Sequence, residues 1–476
     1  MADSFKYILI ALYIALTYWL SLIGLRKAKS LKGFSIGNKD MNPILVGVAM
    51  AASIASSATF LINPGFVYTH GLSALLHYGV AAYAGIAVAL ILLCKGFRGI
   101  GEKHQAITIP HWIYSRYQSR GLSLFFALIN MLSITFVVLI LVGSAILCAS
   151  LFGISTKISL VLILLFVFSY VLMGGAYAHA YTNGFQGVLM ALIALFLFFS
   201  GLKYFDGGFM AGLNSISPDF ASAFNPSSTL YHDFFSVLVS SFLITFALMM
   251  QPHILTKALY LKEEKDVNRF LITSLTVGAI FTLMLFVGLF ARLKGLEVGS
   301  QDKVVAAYIA EEFGGTAWGK MVQAFISVAL LAAGMSTLDG ILVALSAMVV
   351  NDIYLPFRKT RDGEKKGLIL SRYVLVGVGL AAFALAWNPP LLVGIFAQKG
   401  VYGLAAASAA PITLGVLMRR RIPAWIMGVA AAIGLLGHLG LNLFVPGMEN
   451  PAVSASWALI TSFTVALCLL LFTKKT

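Results

Sequence analysis

Residues 51–65 read AASIASSATFLINPG and lie inside a stretch, 43–66, that is long and apolar enough to cross a lipid bilayer. Four hydroxyl side chains fall within seven residues of it, and Asn63-Pro64-Gly65 follow. In hydrocarbon, an interrupted helix survives only where it lines a cavity or is buried in protein. The stretch therefore indicates a binding site inside a membrane protein, although clusters of small and hydroxyl residues also let helices pack closely.

The composition of the whole chain is that of a membrane protein. Of its 476 residues, 60% are hydrophobic and 11% are charged, whereas about 25% are charged in an average soluble domain. This excludes a soluble enzyme, a disordered chain and a secreted disulfide scaffold, since all three cysteines lie in apolar runs. Basic loops held on the cytoplasmic side explain the net charge of +15, so we expect no nucleic-acid partner.

Thirteen stretches qualify as membrane-spanning helices, so the fold class is predicted to be all-α and polytopic. Basic residues after the first span place its C-terminal end in the cytoplasm and the N-terminus outside. Alternation then puts 25 of the 33 basic residues in inside loops, with the C-terminus inside as well. The loop 206–231 is predicted to be an external lid or short helix. The spans are 7–25, 43–66, 74–94, 121–151, 158–178, 184–205, 234–256, 270–291, 318–348, 369–387, 391–417, 423–445 and 454–473.

Polar or proline-containing interruptions also occur in later spans, and those in spans two and seven are five spans apart. Span seven carries Met250-Gln251-Pro252-His253, span nine carries Ala332 to Asp339, and span eleven carries Gln398-Lys399-Gly400. Spans two to six and seven to eleven would thus form two five-helix halves, and the second half is inverted because five is odd. Transporters built this way place ion and substrate sites at broken helices near the midplane.

These boundaries define the predicted organisation of a single transporter domain, 1–476. The first repeat covers 43–205 and the second covers 234–417. A peripheral helix at 7–25 precedes them, and two peripheral helices follow at 423–473.

Seven motifs are spread along the chain: Gly37-Asn38-Lys39, Asn63-Pro64-Gly65, Met173-Gly174-Gly175, Tyr181-Thr182-Asn183-Gly184-Phe185-Gln186, Gln251-Pro252-His253-Ile254-Leu255-Thr256-Lys257, Ala332-Ala333-Gly334-Met335-Ser336-Thr337 and Asn351-Asp352-Ile353-Tyr354. Together they resemble the sodium:solute symporter family, which includes bacterial proline, pantothenate, acetate and sugar symporters. The resemblance runs through almost the whole chain. It implies the five-plus-five inverted-repeat (LeuT-type) fold in a bacterial inner membrane, with Na⁺-driven uptake of a small solute by alternating access.

The resemblance also implies a sodium site between the first and eighth core helices. Its ligands would be the carbonyl oxygens of Ala52, Ala55 and Ala333 and the hydroxyls of Ser336 and Thr337. Backbone and hydroxyl oxygens suit Na⁺, a hard cation that takes about five or six oxygens. The alternative is that both hydroxyls bond carbonyls of their own helix.

Two positions depart from the family pattern. Many members have an acidic residue where this chain has Asn183, and some proline-type members have Asp where it has Ile54. Losing a carboxylate lowers the negative potential that attracts a cation. We expect Na⁺ as the coupling ion and no organic cofactor, and the alternative is an H⁺-coupled or Na⁺-independent transporter that uses Lys399.

The resemblance further implies substrate contacts at the breaks of spans two and seven and in the middle of span eleven, by Ser56, Ser57, Leu248, Pro252 and Lys399. They supply hydroxyls, an apolar wall and one cation, which matches a small monocarboxylate or amino acid. Lys399 lies near mid-depth, where an ionisable group is a functional hypothesis. It would pair with an anionic substrate, act as a titratable amine in proton coupling, or face an aqueous vestibule.

Gating or coupling roles are predicted for Asn183, Gln251, His253 and Asp339. A buried carboxylate must be paired, so we expect an internal partner for Asp339. His253 would relay protons or bond a carbonyl that Pro252 frees. Because catalytic residues do not cluster at either membrane face, the chain is predicted not to be an enzyme. A membrane sensor built on the transporter fold is the other hypothesis.

Overall fold

The computed structural model describes residues 2–357, 363–390, 392–448 and 450–473, and the regular structure of these residues is helical. Leu391, where the predicted eleventh span begins, and the basic residues Arg358, Lys359, Arg361, Lys474 and Lys475 lie outside these ranges. The α-helices are α1 Ala2–Lys27, α2 Leu31–Ile36, α3 Pro43–Ser57, α4 Asn63–His70, α5 Leu72–Leu75, α6 Ala82–Lys103, α7 Ile109–Tyr117, α8 Arg120–Ile129, α9 Ile134–Phe152, α10 Thr156–Gly201, α11 Phe209–Ile216, α12 Ser240–Leu248, α13 Pro252–Leu255, α14 Asp266–Thr282, α15 Phe286–Leu293, α16 Val304–Phe313, α17 Ala317–Met348, α18 Gly363–Ala386, α19 Val393–Leu417, α20 Ala424–Phe444 and α21 Pro451–Leu471.

Short π-helical and 3₁₀ segments join many of these helices into longer rods. The π-helical segments are Ala58–Ile62, Leu76–Ala81, Phe235–Val239 and Val349–Tyr354. The 3₁₀ segments are Asn130–Ser133, Leu202–Phe205, Thr256–Tyr260, Leu283–Leu285, Gln301–Lys303 and Leu355–Phe357. The predicted external loop 206–231 contains a short helix, α11, as expected.

The described helices supply eleven or twelve candidate crossings, and thirteen are reached only if the long helix α10 counts as two. Within the described residues, eleven helical runs are long and apolar enough to span a membrane, and Phe235–Leu248 with Pro252–Tyr260 forms a twelfth that is bent by 62°. α10 is 46 residues long and bends at Gly175, where φ is +52°. At 1.5 Å per residue it measures about 69 Å, roughly twice the hydrocarbon thickness. It covers the predicted span 158–178 and most of 184–205, whose last four residues form the 3₁₀ segment Leu202–Phe205. The all-α polytopic fold class is confirmed.

Contacts between loops divide them between two faces of the bundle. One face joins the segments that follow spans one, three, seven, nine and eleven, through Lys32–Gln105, Arg98–Lys262, Thr108–Asp352, Arg116–Met418 and Tyr260–Ser35. The other face joins the N-terminus and the segments that follow spans two, four, six, eight and twelve, through Lys6–Leu151, Tyr68–Leu296, Lys203–Glu312, Asn225–His70 and Asn450–Leu230. This is the grouping that alternation of thirteen spans requires.

The N-terminal helix α1 is clamped against α10 by two glycines. A Cβ on Gly24 would lie 2.6 Å from the backbone nitrogen of Ala178, and one on Gly174 would lie 2.9 Å from the carbonyl carbon of Gly24. Only residues without a side chain allow the two backbones to approach this closely. The crossing lies next to the bend at Gly175.

Glu312 of α16 lies on the face that includes the Lys203–Glu312 contact. It connects α16 to the 3₁₀ segment Leu202–Phe205 and to the residue that follows α15. Its carboxylate accepts hydrogen bonds from Lys294 Nζ at 2.7 Å and Tyr204 OH at 2.6 Å, and it pairs with Lys203. Burial raises the pKa of this carboxyl group, but the three donors outweigh burial and lower the pKa to about 2. The carboxylate therefore stabilises the fold above the ordinary pKa of Glu, and this contribution falls as the pH drops toward 2.

Replacing Glu312 with Gln should lower the unfolding temperature by a few degrees at neutral pH, because three donors lose their anionic partner. It should also flatten the loss of stability between pH 5 and pH 3. Thermal unfolding of purified protein across that range is the measurement. Glu311→Gln is the matched control, since Glu311 is an exposed neighbour. Equal effects of the two changes would show that the Glu312 contacts contribute nothing.

Candidate ion and solute site

α3 leaves helical geometry in the middle of the membrane-spanning stretch. Ser56 has φ +47° and ψ −174°, and a π-helical turn follows before the chain continues as α4. The Ser56 hydroxyl accepts a hydrogen bond from the amide of Ala58 at 3.1 Å. Pro64 brings no amide hydrogen to the first turn of α4. The interruption predicted for span two is therefore present, and it exposes carbonyl oxygens of α3 to side chains from other helices.

Span seven is also interrupted, whereas spans nine and eleven are not. The chain turns between α12 and α13, with Gln251 in an extended conformation before Pro252. α17 and α19 run without a break through Ala332 to Asp339 and through Gln398 to Gly400, so two of the four predicted interruptions are wrong. In α17 the small and hydroxyl residues serve packing and hydrogen bonding within an intact helix.

The residues predicted to bind sodium converge where α17 crosses the break in α3. The Ser336 hydroxyl lies 3.1 Å from the carbonyl oxygen of Ala52 and 2.8 Å from that of Ala333. Thr337 Oγ1 donates to the carbonyl oxygen of Ser53 at 3.0 Å. The Ala55 carbonyl accepts from the amide of Ala58 and lies at the same break. Ser336 thus bonds a carbonyl of its own helix, as the alternative predicted, and also reaches α3, whereas Thr337 bonds α3.

Close packing holds α17 at this crossing. A Cβ on Gly334 would lie 2.1 Å from Ser144 Oγ on α9 and 2.7 Å from Ser57 Oγ on α3. Ser57 and Ser144 are themselves 3.5 Å apart, measured between their hydroxyl oxygens. Ser57 therefore belongs to a three-helix contact and does not line the large cavity described below.

A second polar cluster adjoins the first at Ser53. Its hydroxyl accepts from Asn183 Nδ2 at 2.9 Å and from Lys257 Nζ at 2.6 Å. Asn183 Nδ2 also lies 2.5 Å from the carbonyl oxygen of Ser336. The position that departs from the family pattern thus lies against both helices of the predicted ion site.

Asp339 has partners on α10. Its carboxylate lies 2.8 Å from His179 Nδ1 and accepts from Tyr170 OH at 3.2 Å, and its side chain is fully buried. His179 Nε2 in turn lies 3.5 Å from Ser53 Oγ. Asp339 therefore has the internal partners that a buried carboxylate needs, and His179 connects it to the Ser53 cluster.

Lys257 is the central residue that sequence reasoning missed. The sequence places it in a cytoplasmic loop, but its side chain is 0% exposed and it also donates to the His253 carbonyl at 3.0 Å. The break at Pro252 was read as the end of the span. Instead, the chain bends by 62° there, and the short segment that follows stays inside the bundle.

A large cavity lies beside the break in α3. Its empty volume is about 1250 Å³, open mouth included. Among the described residues that line it, none is Asp, Glu, Lys or Arg. The polar ones include Ser53, Thr59, Asn63, His77, Tyr78, Tyr83, Ser241, Thr245, Gln251, His253, Ser274, Thr282, Gln398 and Tyr402.

The cavity includes only some of the residues predicted from sequence. Leu248 lines it, whereas Ser56, Ser57, Pro252 and Lys399 are not in its wall. Pro252 lies at a smaller cavity on the other side of His253. Lys399 is half-buried, and its carbonyl lies 3.0 Å from His438 Nε2 on α20, while the adjacent Gln398 lines the large cavity.

Gln251 and His253, which were predicted to serve gating or coupling, also lie at the candidate solute cavity. Both line the large cavity and both are buried. Within the described residues, Gln251 Oε1 and His253 Nε2 have no hydrogen-bond partner, so the expected bond between this nitrogen and a freed carbonyl is not formed. Both are therefore buried polar atoms without a protein partner in the part of the chain that the structure describes.

An aromatic group narrows the cavity at Tyr78. Its hydroxyl pairs with Tyr231 OH at 2.8 Å and accepts from Gln398 Nε2 at 3.3 Å. Tyr231 also packs edge-on against Phe66 of α4, with ring centroids 6.3 Å apart. Segments from both predicted repeats thus meet at this end of the cavity.

A broken apolar helix, converging neutral oxygens and an adjoining cavity within an all-helical bundle of apolar spans define a polytopic membrane transporter of the inverted-repeat type. The chain belongs to the sodium:solute symporter family, whose model matches residues 34–423. Its function is Na⁺-coupled symport of a small solute in the plasma membrane.

Three comparisons show the range of similar proteins. The sodium/pantothenate symporter of Haemophilus influenzae is 27% identical over 88% of this chain and 87% of its own length. The high-affinity proline transporter PutP of Bacillus subtilis is 25% identical over 90% of this chain and 92% of its own. The solved structure of a substrate-bound, outward-open Na⁺-coupled sialic acid symporter has a TM-score of 0.78 at 19% identity and covers 99% of each chain.

Replacing Gly334 with Ala should destabilise the protein by about 1–3 kcal/mol, because the added methyl group forces α17 away from α3 and α9. Adding Ser144→Ala should recover part of the loss by removing the nearer oxygen. Gly377→Ala on α18 is the control, since a Cβ there meets nothing within 4 Å. Thermal unfolding checks the effect, and a Gly334→Ala protein as stable as the parent would contradict this packing.

Proposed function

We propose that this chain imports a small, partly apolar organic solute together with Na⁺ by alternating access. The ion binds where α17 crosses the broken α3, and the solute binds in the adjoining cavity. The N-terminus lies outside the cell and the C-terminus in the cytoplasm, because the loops rich in Lys and Arg share one face of the bundle. One observation carries the proposal: the Ser336 and Thr337 hydroxyls already bond carbonyl oxygens that the break in α3 exposes.

The ion site is built from neutral oxygens that are hidden from solvent. Ala52, Ala333, Ser336 and Thr337 are each 0% exposed, and Ala55 is 4% exposed. Na⁺ would enter when the two hydroxyls turn their hydrogen atoms away and present lone pairs together with the carbonyl oxygens. A site of this kind holds the ion without a carboxylate, as Asn183 in place of an acidic residue requires.

Replacing Ser336 and Thr337 together with Ala should raise the Na⁺ concentration for half-maximal uptake by tenfold or more, because two of the proposed ligands are removed. Uptake by vesicles at varied Na⁺ and constant ionic strength is the measurement. Ser346→Ala is the matched control: Ser346 is buried on the same helix, but its hydroxyl bonds only the Val343 carbonyl at 2.9 Å. Unchanged sodium dependence in the double variant would refute the ion site.

The solute site favours hydrogen bonding over ion pairing. The cavity wall carries amide, hydroxyl and imidazole groups between apolar side chains, and none of the described residues in it is Asp, Glu, Lys or Arg. A small carboxylate or amino acid with an apolar part fits this lining, with its polar end near Gln251 and His253 and its apolar end near Leu248. The names of the pantothenate and proline relatives support this size and chemistry for the solute.

Gln398→Leu should raise the KM for solute about fivefold, because one hydrogen bond to the bound solute or to Tyr78 is lost. Lys399→Met should change the KM by less than about twofold, because this side chain is not in the cavity wall. Because Gln398 and Lys399 are adjacent, each variant is the control for the other in one uptake assay. If Lys399→Met weakens uptake of anionic solutes more than neutral ones, Lys399 is the anion partner that the sequence predicted.

A further inference from the structure

Lys257 carries a basic side chain into the centre of the bundle. It follows α13 in the second predicted repeat and reaches across to Ser53 of α3 in the first. Two of its three N–H donors have partners, the Ser53 hydroxyl at 2.6 Å and the His253 carbonyl at 3.0 Å. A completely buried ammonium is costly and is retained where it has a role.

The counter-charge for this ammonium is indirect. Within the described residues, no carboxylate lies within 4.0 Å of Lys257 Nζ. Hydrogen bonds connect Asp339 to it through His179 and the Ser53 hydroxyl. Neutral oxygens therefore hold the ammonium, as they would hold an alkali cation.

Ser53 is shared between the ammonium and the proposed ion site. Its hydroxyl binds Lys257, while its carbonyl oxygen accepts from Thr337, one of the proposed sodium ligands. Asn183 further joins the Ser53 hydroxyl to the carbonyl of Ser336. A sodium ion among these ligands would be separated from the ammonium by Ser53 alone. Two cations this close in a low dielectric repel each other strongly.

We infer that the Lys257 ammonium is a tethered internal cation that competes with Na⁺ at the break in α3. The inference rests on the proposed sodium site. Binding of Na⁺ and the bond from Lys257 to Ser53 exclude each other, so the arriving ion drives the lysine away from α3. Because that bond joins the interrupted helices of the two repeats, its loss separates segments whose relative position changes during alternating access.

A lysine is suited to this role. Its ammonium is a compact charge on a flexible four-carbon chain, so it can leave Ser53 without any movement of the backbone that carries it. An arginine of the same charge would present a rigid fork and remain charged, which makes it a useful comparison.

The test compares sodium binding in four variants of the full-length purified protein with the parent. Lys257→Met and Lys257→Gln remove the charge, Lys257→Arg keeps it, and Ser336→Ala with Thr337→Ala removes the proposed ligands. The readout is the rise in unfolding temperature with NaCl, while choline chloride holds the ionic strength constant. Both neutral variants should need about tenfold less Na⁺ for half the effect, because a nearby positive charge is gone. The Arg variant should resemble the parent.

The outcomes separate this inference from the ion site itself. Unchanged sodium affinity in the neutral variants, with the response lost in the Ser336 and Thr337 double variant, overturns the inference and leaves the ion site standing. No response in any protein, the parent included, removes both. A response in the neutral variants alone supports the inference in its strongest form, with lysine occupying the place of the ion. If the Met variant does not fold, the Gln variant decides, since its amide can still donate to Ser53.

Discussion

A backbone carbonyl surrounded by hydrocarbon needs a hydrogen-bond donor or a cation, because the lipid supplies neither. α3 creates this need when it departs from helical geometry at Ser56, and α17 meets it with Ser336 and Thr337. Much of the neighbouring structure follows from that contact. α17 is the most buried of the spans in the described residues, and Gly334 leaves it enough room to reach α3.

The few charged groups at the centre are arranged around the same contact. One carboxylate, Asp339, and one ammonium, Lys257, are both connected to Ser53, the carboxylate through His179. When both are ionised they leave the centre of the bundle without net charge, in a chain whose loops are strongly basic. An incoming cation would then be the only unbalanced charge there. Neutral surroundings of this kind make the ion weakly held, which a carrier that must release its cargo requires.

Hydropathy and loop charge were sufficient for the all-helical polytopic fold and for the grouping of the contacting loops into two faces, because lipid imposes length and polarity on every crossing. The interruptions in spans two and seven were also predictable, since proline and clustered hydroxyls leave a one-dimensional signal. The same signal failed in α17 and α19, where small and polar residues are accommodated in intact helices. Lys257 was assigned to a loop because a span was assumed to end soon after its proline. Most of the cavity wall could not be predicted from the sequence. Tyr78 and Gln398, for example, are brought together by helix rotation and tilt, which the linear order of residues does not record.

The glycine crossing of α1 and α10 has a mechanical consequence. With backbones in contact at Gly24 and Gly174, the first helix cannot slide or swivel independently of the long bent helix behind it. Any rocking of α10 must sweep α1 sideways through the surrounding acyl chains, and Trp19, 59% exposed on α1, moves with it. The viscosity and thickness of the bilayer would therefore act as a drag on turnover, applied at a point remote from the cargo.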